Sequence, residues 1–206
     1  MTLATWLLFC LTETVLCMIP GPAVLLVLST ALRRGFPSAT RATAGILAGN
    51  TMYFALSATG IAAVIVASHV VFSALKWAGA AYLVWLGLGM LLAHAGGHGS
   101  AAQRPAANAE RIFVRAFIVQ AANPKALVFF IALLPQFINP AGSVPWQILV
   151  LGVSSVLIES LVLSLYAALA ARARSIAATR FSGSLERVGG ACLIAAGARL
   201  AWYRIG

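Results

Sequence analysis

The chain has 206 residues, 62% hydrophobic and 9% charged, where an average soluble domain is roughly half apolar and a quarter charged. Asp is absent and Glu occurs four times, a composition that excludes a disordered chain and a soluble enzyme of ordinary type, because too little polar surface is available to coat a globule in water. The net charge of +10 would suggest nucleic acid on a soluble protein, but in so apolar a chain it has to be read against membrane topology.

A bilayer core of about 30 Å is crossed by roughly 20 mostly apolar helical residues. The first such run, Leu3 to Leu32, carries one charge, Glu13. It lacks the basic start of a cleavable signal and is too long for one, so it is read as span one. Pro20 and Pro22 interrupt it, with Gly21 between them. The prolines free carbonyls one turn earlier, and Gly21 lets the backbone bend or approach a ligand. A half-helix starting near Pro22 offers free amides and a positive dipole end to a carboxylate. The freed carbonyls suit an ammonium or a cation, so the pair fits a zwitterion.

Span two, Ala42 to Val66, has no charge. Gly45 and Gly49 give it a GxxxG spacing suited to close helix packing. With Asn50 and Tyr53 directly following, these four positions are also candidates for lining a cavity. Span three, Phe72 to Ala93, carries only Lys76. A Gly- and Ala-rich stretch, His94 to Arg111, then divides the chain. His94 and His98 lack a third ligand and make a poor metal site, so this stretch reads as a solvated linker. Span four, Phe113 to Ile138, contains Arg115 near its start and, in mid-run, Asn123, Pro124 and Lys125. Span five, Trp146 to Ala171, carries only Glu159, and span six, Val188 to Ile205, carries Arg199 and Arg204. The runs are continuous rather than alternating, so the fold class is an all-α integral membrane protein with six transmembrane helices, not a barrel.

Ten basic residues (Arg33, Arg34, Arg41, Arg104, Arg111, Arg115, Arg172, Arg174, Arg180 and Arg187) fall in or beside the loops after spans one, three and five. The positive-inside rule places those loops in the cytoplasm and both termini on the periplasmic side. The cysteines, Cys10, Cys17 and Cys192, form no CxxC and read as small buried apolar residues.

The spans divide into two halves, residues 1–93 and 112–206, around the 94–111 linker. Prolines interrupt spans one and four at corresponding places. Leu75, Gly79, Ala81, Leu83 and Gly87 align with Leu185, Gly189, Ala191, Leu193 and Gly197. Halves with three spans each are necessarily inverted, and inverted repeats with broken helices point to a secondary transporter. At about 1.5 Å per residue, Pro22 lies about 16 Å from the cytoplasmic end and Pro124 and Glu159 about 20 Å, all near the bilayer centre. Glu13, at about 30 Å on the same ruler, falls at the outer interface, where a carboxylate needs no function. Lys125 and Glu159 are too deep to serve topology. They are expected to pair with each other, bind substrate or carry a proton.

The combination of PGP in span one, G-I-x-x-G-N in span two, GAAYLVWLG in span three and QAANPKALVFFIALLPQF in span four resembles the LysE/RhtB family of bacterial amino-acid exporters. The likeness runs from about Pro20 to Leu200. It implies an inner-membrane, multi-pass exporter of amino acids or their derivatives, driven by proton antiport. By motif it places the transport site at Pro20, Gly21, Pro22, Asn123, Pro124 and Lys125, to which depth adds Glu159. Ala23 stands where many members have Asn. The absence of Asp favours neutral substrates. The alternatives are export of another small solute or cation, or a non-transporting membrane subunit. No enzyme motif, cofactor, metal site or nucleic-acid partner is called for; the partners are an amino acid, a coupling proton and the bilayer, with a homo-oligomer left open.

Overall fold

The computed structural model describes residues 1–59 and 108–177, together with positions 77, 80–82, 84, 85, 88, 191, 194–196 and 198. Spans three and six, the far end of span two, Cys192, and the linker up to residue 107 with its two histidines lie outside this range or are represented only by those separate positions. So do Lys76, Arg199 and Arg204, and with them the repeat alignment.

The described chain is helical. Span one is two helices, α1 (Leu3–Met18) and α2 (Pro22–Arg34), bent by 53° at the proline–glycine break. Gly35 then turns the chain directly into α3 (Phe36–Ala58) with φ 82°, a left-handed conformation that only glycine adopts without a Cβ penalty. Because this turn needs no loop, α3 begins six residues before the expected start of span two, and Arg41 belongs to its second turn rather than to a connection.

Span four is likewise broken. Helix α4 (Ala109–Ala121) ends before Asn123, and a short α5 (Pro124–Val128) follows. A π turn (Phe129–Leu133) and a 3-10 turn (Leu134–Phe137) complete the segment. The last three residues of the expected linker, Ala109 to Arg111, already belong to α4. Helix α6 (Val144–Ala177) overruns the expected end of span five and includes Arg172. Its stretch Val144–Ala173 is long and apolar enough to cross a membrane, and α1 with α2 meets the same requirement as a bent pair. Leu149, Val153, Leu157, Leu161, Leu165 and Leu169 are all more than half exposed. At four-residue spacing they form a slowly drifting stripe along α6. From Trp146 to Leu169 that face covers about 35 Å, enough to cross a hydrocarbon core of about 30 Å.

Helix α3 is packed against α2, α4 and α6. Gly45 meets Phe113 and Ala116, and one turn later Gly49 meets Phe117 and Gln120, so α3 and α4 run in parallel. Helices α1 and α6 are parallel too: Trp6 Nε1 donates to Ser154 Oγ at 2.9 Å, and Tyr166 Oη to the Met18 carbonyl at 2.9 Å. Arg33, Arg34, Arg111 and Arg172 consequently gather at one end of the bundle. Toward that end lies an apolar cluster from α2, α3, α4 and α6 that includes Val27, Ala31, Ile46, Val119, Leu163 and Ala167. Toward the other lies an aromatic one, with Phe9, Phe54, Phe129, Phe130 and Phe137 at its centre. There Phe9 and Phe137 meet edge to face at 5.3 Å, as Phe54 and Phe130 do at 4.8 Å.

A Cβ built on Gly45 would overlap the Phe113 carbonyl oxygen, and backbone cannot rotate away as a side chain can. Gly45→Ala is therefore expected to push α3 from α4 and to cost about 1–3 kcal/mol, measured as a lowered apparent Tm in detergent.

Candidate functional site

The two helix breaks touch. The Cβ position of Gly21 is 3.8 Å from Lys125 Cδ, so the lysine stem crosses the PGP turn. Its Nζ donates to the carbonyl oxygens of Leu16 and, at 3.1 Å, of Ile19. Pro20 releases the first by lacking the N–H that would meet it, and the second lies in the break itself, past the end of α1. Met18, between them, has its carbonyl taken by Tyr166. The ammonium-binding carbonyls anticipated from the sequence thus hold an ammonium of the protein itself.

The half-helices beyond the breaks start alike and finish differently. Pro22 and Pro124 each stand in the first turn, where a missing N–H costs nothing. At α5, Asn123 caps the turn, its Oδ1 accepting from the Lys125 amide at 3.1 Å. At α2 the cap residue is Gly21, with no side chain to offer. The first-turn amides of Ala23 and Val24 therefore lack an intrahelical acceptor.

A chain of side-chain amides leads from the α5 cap into the bundle. Asn123 Nδ2 donates to Gln120 Oε1 at 3.0 Å, and Gln120 Nε2 to Asn50 Oδ1 at 2.5 Å. Asn50 Nδ2 in turn donates to Glu159 Oε2. Asn50, Gln120, Asn123 and Glu159 are all buried. Each bond points the same way, so the links polarise one another and end on a carboxyl group.

Between the two apolar clusters lies a cavity of about 50 Å³, lined by residues that include Glu13, Gly21, Ala23, Val24, Asn50, Gln120, Asn123, Lys125 and Glu159. That space has room for a few waters, each of which needs about 10–15 Å³. Of the residues singled out from the sequence, the cavity thus joins Gly21, Asn50, Asn123, Lys125 and Glu159. Pro22 is buried beside it, Pro124 is half-buried and Pro20 is exposed. Gly45 and Gly49 lie against α4 instead. Tyr53 donates to the Ala121 carbonyl at 2.5 Å and stacks on Phe130.

Two cavity residues depart from the sequence reading. Glu13, expected at an interface, is 5% exposed and its Oε1 accepts from Ser155 Oγ at 2.6 Å. The 53° bend defeats a depth ruler laid along one straight helix. Cys17, expected to be a buried apolar filler, is half-buried at the cavity wall with its Sγ 3.8 Å from Glu13 Oε1. Gln120 was not singled out at all, although its place in the QAANPK run, three residues before the Asn123 cap, was visible.

Residues 14–204 match the family model described as LysE type translocator. The chain is 35% identical over 205 residues to the homoserine/homoserine lactone efflux protein of Salmonella typhi, covering 99% of each. It is 34% identical over 172 residues to an uncharacterized membrane protein of Vibrio cholerae, covering 84% of this chain and 83% of that one. It is 34% identical over 122 residues to the leucine efflux protein of Salmonella choleraesuis, covering 59% and 58%. No solved structure matches.

Replacing Lys125 by Met keeps the stem over Gly21 and removes the donor to two carbonyls. The Leu16 carbonyl keeps the Ile19 amide, so Lys125→Met leaves the Ile19 carbonyl without its donor and is expected to destabilise the fold by about 1–3 kcal/mol, measured as a lowered apparent Tm in detergent.

Proposed function

The chain belongs to the LysE type translocator family, a family of transporters rather than enzymes, and from that premise we propose that it is a secondary transporter exporting amino acids or their derivatives, neutral ones by preference, in exchange for protons. The observation that carries this reading is the cavity between two apolar clusters, into which Glu13, Asn50, Gln120, Asn123, Lys125 and Glu159 are gathered at the contact of both helix breaks. Relatives named for the efflux of homoserine and of leucine support a neutral amino acid as cargo.

The chemistry of the cavity suits a zwitterion. A substrate carboxylate is met by the uncapped amides of Ala23 and Val24 and by the positive end of the α2 dipole. The ammonium is directed to Glu159 rather than to the released carbonyls, since Lys125 already occupies those. Asn50 holds one oxygen of Glu159, and among the described residues no hydrogen bond falls on the other. That oxygen can meet an ammonium or carry a proton, but not both at once, which is the elementary requirement of antiport.

Alternating access needs one apolar cluster to part while the other stays shut. The cluster of α2, α3, α4 and α6 lies toward the arginine-rich end, which the positive-inside rule assigns to the cytoplasm. The phenylalanine cluster closes the periplasmic side. Both breaks are joints about which half-helices can rock. In this reading the chain is a multi-pass protein of the inner membrane with both termini periplasmic, and residues 1–93 and 112–206 are the inverted repeats that rock against each other.

Reconstituted protein tests the proposal. Vesicles loaded with L-homoserine or L-leucine are expected to lose it when a proton gradient is imposed. Glu159→Gln keeps an acceptor for Asn50 and is expected to abolish gradient-driven efflux with normal insertion. Efflux unchanged in that variant removes the proton role from Glu159.

A further inference from the structure

The reading above uses one carboxylate, but the cavity has two. Glu13 contacts Ser155, which is one helical turn from Glu159 on α6, about 6 Å along the axis. The two acids therefore line the same cavity about one helical turn apart along α6. Both are more than nine-tenths buried. Among the described residues, every hydrogen bond to Glu13 falls on Oε1 and every one to Glu159 on Oε2. One oxygen of each is left without a donor from the described residues. Neither acid is in an ion pair with Lys125, whose ammonium is turned to the carbonyls of Leu16 and Ile19.

Charge then decides the matter. Among the described residues, two carboxylates and one ammonium line the cavity, which leaves that set one positive charge short. A buried carboxylate without a cation is far costlier than an unpaired amide. The other ionisable group beside Glu13 is the Cys17 thiol on its own helix. Helices α2 and α3 bring backbone amides and the uncharged Asn50, and Tyr53 and Tyr166 are turned to carbonyls elsewhere. With no further cation beside it among the described residues, the pair of carboxylates suits a proton or a cationic group of the cargo.

We propose that Glu13 is a second substrate-binding residue, which together with Glu159 holds the ammonium of the transported amino acid across the cavity. The inference rests on the export reading and adds the other half of its cation site. Substrate ammonium and proton then compete for a two-carboxylate centre that admits one of them at a time. A primary ammonium has three donors, enough for both free carboxylate oxygens with one to spare.

Glu13→Gln separates this role from a structural one, because the Gln carbonyl still accepts from Ser155 while the charge is gone. In proteoliposomes the KM for L-homoserine is expected to rise at least about tenfold, the size of a lost hydrogen bond to a charged partner. Ser155→Ala removes the hydrogen bond but keeps the charge, and its KM is expected to stay within about twofold of wild type. A purely structural Glu13 gives the reverse order and overturns the proposal, as does an unchanged KM in Glu13→Gln. If wild-type protein moves neither homoserine nor leucine, it is the export reading that fails. Should Glu13→Gln not insert, wild-type vesicles still decide. Labelling of Glu13 by an apolar carbodiimide, read by peptide mass, is expected to slow at saturating L-homoserine, and labelling at an unaltered rate overturns the assignment.

Discussion

A helix interrupted away from water exposes backbone groups that need other partners, and this chain interrupts two. The resulting demand is met by one long side chain, Lys125, which starts at the break in span four and reaches the break in span one. Tyr166 takes the remaining released carbonyl from α6. The breaks thereby become partners: neither can relax without leaving the other's polar groups unpaired. The position of the cavity follows from this, since it is the space that two touching joints cannot fill.

The same lysine explains why the amide chain has a direction. Its backbone N–H starts the series through Asn123, Gln120 and Asn50 that finishes at Glu159. Its side chain meanwhile is committed to α1. The ionisation of Glu159 is thus linked by hydrogen bonds to the cap of α5, and by the Lys125 stem to the PGP turn. A proton gained at Glu159 weakens it as an acceptor for Asn50, and each link upstream loses some of its polarisation. Chemistry at the carboxyl and geometry at both joints are in this way parts of one network.

How much of this was legible depended on whether the signal was local. Pro22 and Pro124 announce their breaks because proline acts on its own turn, and Asn123 before Pro124 has the form of a cap. Lys125 and Glu159 stand out because a deep charge is rare in lipid. Glu13 is equally deep in the protein but was hidden, because its depth was measured along a helix that bends by 53° at the very break already recognised. The partner of Lys125 was hidden for a different reason. Released carbonyls advertise a need for donors, but sequence does not say whether a ligand or the protein supplies them. Gln120 is an ordinary residue made important by a third-helix contact with Asn50. The helix ends at Phe36 and Ala177 were missed because arginines were taken to mark loops, whereas a helix leaving the membrane continues through its basic residues.

The two breaks resemble each other in sequence, but their caps differ. Asn123 closes the first turn of α5, and Gly21 leaves the first turn of α2 open. A capped terminus has spent its best donor within the fold, while an uncapped one keeps its amides for whatever enters the cavity. Asn at position 21 would close the second terminus in the same way, at the expense of the only turn whose free amides border the cavity from α2. The glycine of PGP therefore does more than permit a bend. By withholding a cap it divides two similar joints: one braces the amide network and the other leaves its first-turn amides open beside the cavity.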